Sequence, residues 1–174
     1  TKLYSRNFAG QIGDWCRAHG VKLIGHVVED NGAHARLGHG AGHFFRALRG
    51  QDHSGLDVVY QIWPEFTSGR VTTMFGYLYA DFFYWGITKM ATSEGHLDPK
   101  KQGTTVCEIF GAYGWQAGLK LMKWLTDHVC VRGVNFLIPH AFSPKDFPDP
   151  DCPPHFYARG NNPQWRYFHH WSAY

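Results

Sequence analysis

The chain has 174 residues, 44% of them hydrophobic and 18% charged, with a formal net charge of +3. That length suits one domain with a sizeable core, and the composition excludes a disordered or fibrous chain. The weak charge, with no basic block longer than Lys100-Lys101, argues against nucleic acid as a partner, and no stretch reaches the roughly 18 apolar residues of a membrane span.

Aromatic residues make up 17% of the chain and include seven Trp. Such an excess suits stacking on flat apolar faces such as sugar rings, and it also fills cores. Cys16, Cys107, Cys130 and Cys152 show no CxxC spacing and read as buried free thiols. Free thiols without a signal-peptide pattern lean towards a bacterial cytoplasm. A first residue Thr1, with helix under way within a few residues, points to a piece of a longer protein.

Residues 6–19 carry Phe8, Ile12 and Trp15/Cys16 at helical spacing, and Gly20 is a natural stop. Residues 21–28 form a short apolar run of strand type that ends in the polar cluster Glu29-Asp30-Asn31-Gly32. A Gly/His-rich loop leads to a short helix over 43–49. Residues 56–63 read as a second strand, closed by Pro64-Glu65. After a polar turn, Tyr79, Phe83, Ile87 and Met90 mark a longer helix ended by Gly95, and Asp98-Pro99-Lys100-Lys101 reads as exposed linker.

The third strand lies in Thr104-Thr105-Val106-Cys107-Glu108-Ile109-Phe110, followed by a helix over 116–131 and a fourth strand over 134–142. Residues 143–163 are Pro- and Asp-rich, an irregular excursion within the domain. A last amphipathic segment carries Trp165, Phe168 and Trp171.

Strands alternating with helices imply an α/β fold with a parallel sheet. No GxGxxG follows a strand, so a doubly wound nucleotide-binding sheet lacks its fingerprint. Polar residues instead gather after each strand, as they do at the C-terminal rim of a (β/α)₈ barrel. Four β/α units would make the C-terminal half of such a TIM barrel, so residues 1–174 read as a single partial catalytic domain.

Glu108 is an isolated charge in an apolar strand, which costs several kcal/mol unless it is paired, protonated or solvated in a cleft. Glu29, Asp30, Asn31, Gln61, Trp63, Glu65, Tyr113, Trp115 and His140 collect at the strand ends with it. By strand parity Asp57, Val59, Gln61 and Trp63 share one face, as do Val106, Glu108 and Phe110. Two carboxylates, amides, imidazoles and indoles on one rim are the set that glycoside cleavage needs. One carboxyl protonates the leaving oxygen while the other attacks the anomeric carbon or activates water.

His39 and His43, spaced i, i+4 with His26 and His34 nearby, raise a metal reading. The glycine-rich spacing and the absence of Glu after His39 argue against it, so no metal and no cofactor are expected. The loop histidines, His26 among them, serve better as sugar ligands or loop anchors. Trp15, Trp85 and Trp124 fall within helices and read as core.

The runs Ile24-Gly25-His26-Val27-Val28-Glu29-Asp30-Asn31-Gly32, Gly42-His43-Phe44-Phe45-Arg46, Cys107 to Trp115, and Arg132-Gly133-Val134-Asn135 to Pro139-His140-Ala141-Phe142 carry a family likeness. They resemble bacterial TIM-barrel glycoside hydrolases, in the neighbourhood of the large multidomain α-L-rhamnosidases and β-galactosidases. The resemblance implies Glu108 as nucleophile or general base and Glu29 as proton donor, with Asp30 as its substitute. This sequence has Glu-Asp where the best-known barrel enzymes carry Asn-Glu.

On that reading His26, Asp30, Asn31, Gln61 and His140 bind a saccharide, and Trp63, Tyr113 and Trp115 offer stacking surfaces. The resemblance also implies that the other barrel half and accessory β-sandwich domains lie upstream. A non-catalytic carbohydrate-binding barrel and a histidine-based metal-dependent hydrolase are the rival expectations.

Overall fold

The computed structural model describes residues 1–27, 41–73 and 76–174, with the backbone alone at 71–73 and 76–78. Helical turns open the chain: α1 (Lys2–Tyr4), a π turn (Ser5–Gly10) and α2 (Gln11–Ala18). Next come α3 (Phe44–Ala47), β1 (Ser54–Val59), β2 (Arg70–Thr73), β3 (Gly76–Tyr79) and α4 (Ile87–Leu97). The chain continues with β4 (Thr105–Gly111), α5 (Leu119–Cys130), β5 (Phe136–Pro139) and α6 (Phe168–Ala173).

The expected parallel sheet is present, in the order β1-β4-β5, with both pairings parallel. Asp57, Glu108 and Ile138 are register partners across its three strands, so their side chains share a face. Leu56, Val58, Cys107 and Ile109 take the other face and are fully buried. The Ser54 hydroxyl, on that same face, donates to the Ala91 carbonyl of α4 at 2.7 Å. Ile87 and Ala91 from α4 join Met122, Leu125 and Val129 from α5 in one apolar core with these strand residues. Burying each such side chain contributes about 1.5–3 kcal/mol.

Several expectations are corrected. Residues 21–27 form no strand and no ladder with β1. Gly25 adopts φ +141°, which breaks the strand geometry, and the segment passes over the Glu108 face at Gly55. A reciprocal bond pair holds it: Leu23 N–H donates to the Asp52 carboxylate, and Asp52 N–H donates to the Leu23 carbonyl, both at 2.8 Å. Tyr79 ends the antiparallel β2–β3 hairpin instead of starting a helix. Gly95 does not stop α4; it lets the helix approach β4, since a Cβ there would sit 2.7 Å from Thr105 Oγ1.

Lys101 is 0% exposed instead of belonging to an open linker. Trp15, Trp85, Phe8 and Ile12 are at the surface, so the helical spacing near the N-terminus marks an exposed apolar face. The cysteines are free, yet only Cys107 is buried.

His128 on α5 is buried against the rings of Tyr84 and Trp124, at centroid distances of 4.7 and 4.9 Å. Burial first, and the nearby Arg132 charge second, push its pKa from 6.5 down to about 4. The unfolded chain therefore binds the proton more readily. Stability from this group is fully present above the ordinary His value and is lost as pH falls towards about 4, to a total of about 3 kcal/mol. His128→Phe should flatten that acid loss. Urea unfolding at about pH 7 and about pH 4.5 checks it, and an unchanged pH slope would contradict it.

Candidate active site

β4 is buried at every position but one, and the exception is Glu108. Its side chain is 34% exposed, so the carboxylate sits at the boundary between core and solvent. The strand continues one residue later into a bulge. Phe110, at φ +81°, is the extra residue, and the register slips between Val58 and Val59. Bulges of this kind re-aim neighbouring side chains and recur beside functional sites.

Glu108 Oε2 lies 3.1 Å from His26 Nε2, while His26 Nδ1 lies 3.0 Å from the Val27 carbonyl oxygen. Both ring nitrogens thus face oxygen acceptors. With Glu108 ionised, the contact at Nε2 is a hydrogen bond donated by the imidazole to the carboxylate. The hydrogen bond from His26 holds the Glu108 pKa below the ordinary carboxylate value against the opposing effect of burial, and the charges of His26 and His140 add to it. A carboxylate so held is an acceptor or nucleophile at neutral pH, not a proton donor.

The lowered pKa has a defined sign. The stabilisation that ionised Glu108 brings is present above the ordinary Glu range and is lost as pH falls through the lowered value. If Glu108 must be ionised for activity, the acid limb of the rate profile lies below the ordinary Glu value. His26→Ala should move that limb upward. A limb that stays in place would separate His26 from the ionisation of Glu108.

Asp57 completes the cluster and was not singled out as a site residue from the sequence. It is 2% exposed, and ligand-type atoms of His26, Asp57 and Glu108 all lie within 4.8 Å of one another. Its signal in the sequence was the same as that of Glu108, a lone acid inside the run Leu56-Asp57-Val58-Val59. Burial keeps Asp57 from reaching a leaving group. It is instead the register partner of Glu108 across the sheet, within 4.8 Å of the ligand-type atoms of Glu108 and His26.

Gly55 makes the arrangement possible. A Cβ there would lie 1.8 Å from the Gly25 carbonyl oxygen, a backbone atom one residue before His26. Gly55→Ala should destabilise the fold by about 1–3 kcal/mol and pull His26 from Glu108. Thermal unfolding together with the pH profile of activity checks this. A variant with wild-type stability and profile would show that the segment moves freely.

The remaining expected residues are placed as follows. Glu29, Asp30 and Asn31 lie outside the described residues, as do His34 and His39. His140 is half-buried just past β5, and its backbone N–H donates to the Ile109 carbonyl at 2.8 Å. Gln61 is buried, and its amide oxygen accepts from the Val59 N–H, so it shapes the turn after β1. Tyr113 is corrected as a stacking surface: it is 2% exposed, and its hydroxyl donates to the Ile62 carbonyl at 2.8 Å. Burial raises its pKa well above the ordinary tyrosine value.

Trp63 is half-buried and rests on Tyr113 at 5.0 Å, its indole N–H donating to the Tyr60 carbonyl. Trp115 is half-buried and lines an open cavity of about 720 Å³ with Gln116, Asp146, Phe147, Asn161 and Asn162. Its indole N–H donates to the Asp149 carbonyl, which fixes the ring. An aromatic wall edged by amides and a carboxylate offers a flat apolar face with hydrogen-bonding groups beside it. The 143–163 excursion builds most of that cavity.

No helix among the described residues is long and apolar enough to cross a membrane. No family model matches the chain, and neither a curated protein nor a solved structure does.

Proposed function

We propose that the protein is a glycoside hydrolase, with Glu108 as nucleophile or general base acting on a β-galactoside- or rhamnoside-like saccharide. The observation that carries the reading is the standing of Glu108: one half-open, ionised carboxylate in an otherwise buried strand, bonded to His26. The proton donor in this reading is Glu29, with Asp30 as its substitute. Asp57, being buried, does not reach the substrate. Trp115 and its cavity supply a stacking wall, and Trp63 a second aromatic surface.

The reading extends to architecture. A parallel sheet with its acids on one face is compatible with half of a (β/α)₈ barrel. Phe136 and Ile138 on β5 and the stripe Tyr4, Phe8, Ile12 and Trp15 near the N-terminus are exposed apolar surfaces. A completing half, from upstream in a longer polypeptide, would cover them. Aryl glycosides of several sugars, offered to the full-length enzyme, test the reading through release of the aglycone. Turnover that Glu108→Gln abolishes supports it, whereas binding with no release favours a carbohydrate-binding barrel.

A further inference from the structure

The cluster at the centre of the candidate site has a second chemical capacity that glycoside cleavage does not use. His26, Asp57 and Glu108 come from three different parts of the chain: the segment over the sheet, β1 and β4. Each offers a metal-ligand atom, and all three atoms lie within 4.8 Å of one another. Two ligand atoms on one zinc ion stand about 3.3 Å apart, given bond lengths of roughly 2.0–2.2 Å. The His26–Glu108 pair already stands at 3.1 Å, and Asp57 lies within 4.8 Å of both.

The donor set indicates the class of ion. Imidazole nitrogen with two carboxylates suits Zn²⁺ and its first-row neighbours, whereas Ca²⁺ and Mg²⁺ prefer oxygen alone. A dication at this point would compensate the Glu108 charge in place of the His26 hydrogen bond, with His26 as a neutral nitrogen ligand. Asp57 is held by burial and Glu108 by its strand, so little ordering is needed.

We propose that His26, Asp57 and Glu108 form a site for a divalent transition-metal ion that reversibly silences Glu108. The silencing, though not the binding, rests on the glycosidase reading. With one oxygen bound to a dication, the Glu108 carboxylate loses most of its negative charge density and becomes a much weaker nucleophile and base. In a mechanism that uses Glu108 as nucleophile or base, the ion therefore acts as an inhibitor of this site.

Titration calorimetry with Zn²⁺ on the full chain tests the binding by itself. The expected result is one tight Zn²⁺ per chain, with affinity falling about tenfold or more in both Asp57→Asn and His26→Gln. His26→Gln alters a partly exposed side chain and decides the matter if Asp57→Asn does not fold. Replacing His169 and His170 with Ala, an exposed neighbouring pair, should leave the affinity unchanged. X-ray absorption at the zinc edge should show nitrogen and oxygen ligands only.

Absence of tight binding, unchanged affinity in His26→Gln, or a sulfur ligand overturns the site. On aryl glycosides, turnover should fall in step with zinc occupancy and return with chelator; a rise in turnover with zinc overturns the silencing. If the metal-free protein turns over no glycoside at all, the glycosidase reading fails while calorimetry still decides the metal site.

Discussion

Glu108→Gln is expected to lower turnover of a glycoside substrate by about 10⁴-fold or more, equivalent to about 5 kcal/mol of transition-state stabilisation. The amide keeps the shape of the side chain, and the position is 34% exposed, so the fold should survive. What is lost is a full negative charge on a carboxylate that His26 holds ionised. An amide can neither attack the anomeric carbon nor take a proton from water. KM should change far less than kcat, since the group acts mainly in the transition state. Stability should also lose the part of its acid dependence that comes from ionised Glu108. Near-normal turnover in a folded Glu108→Gln enzyme would remove Glu108 from the chemistry.

The second large effect is on stability. Lys101 is 0% exposed, and its ammonium group donates to the carbonyls of Leu48 and Gln51 at 2.8 Å each. It also stands 3.4 Å from the Glu94 carboxylate of α4, itself nearly fully buried. Burial lowers the Lys101 pKa and raises that of Glu94, while each charge opposes the shift of the other.

Lys101→Met fills a similar volume but leaves a buried carboxylate and two carbonyls without their donor. The expected cost is about 3–5 kcal/mol, or roughly 6–20 °C in Tm for a chain of this size. The consequence reaches the site. Lys101 lies just ahead of β4 and ties it to the turn ahead of β1, so it supports the register that sets Asp57 beside Glu108. Adding Glu94→Gln should recover part of the loss, because the orphaned charge is then removed. A single-variant loss below about 1 kcal/mol would show that water reaches the ammonium group.

Much of the parallel sheet was legible because its cause is local. The apolar runs around Cys107 and Val58 predict buried strands, and the helical spacing of Met122, Leu125 and Val129 predicts the helix that covers them. Glu108 stood out because a charge in such a run demands an explanation, and the structure supplies one in His26. Asp57 carries the same signal, a lone acid in the run Leu56-Asp57-Val58-Val59.

What stayed hidden depends on distant partners. Lys101 reads as linker beside Pro99 and Lys100, and only carbonyls some 50 positions away bury it. Residues 21–27 have a strand's composition, yet Gly25 turns the backbone and the chain is laid over the sheet. The stripe from Tyr4 to Trp15 has a correct helical period, but period alone does not say whether a partner covers the face. The same holds for Tyr113, whose ring could stack on a sugar or on Trp63; burial decided for Trp63.

The most direct test of the central claim is the separation of the Glu29 and Glu108 carboxyl groups in a crystal structure of the protein. A glycosidase working through this pair requires about 5–5.5 Å for retention or about 6.5–9.5 Å for inversion. A value in either range supports the pair and selects the route. A separation beyond about 12 Å, with Asp30 no nearer, would contradict the two-carboxylate account, because no single glycosidic bond could then touch both groups.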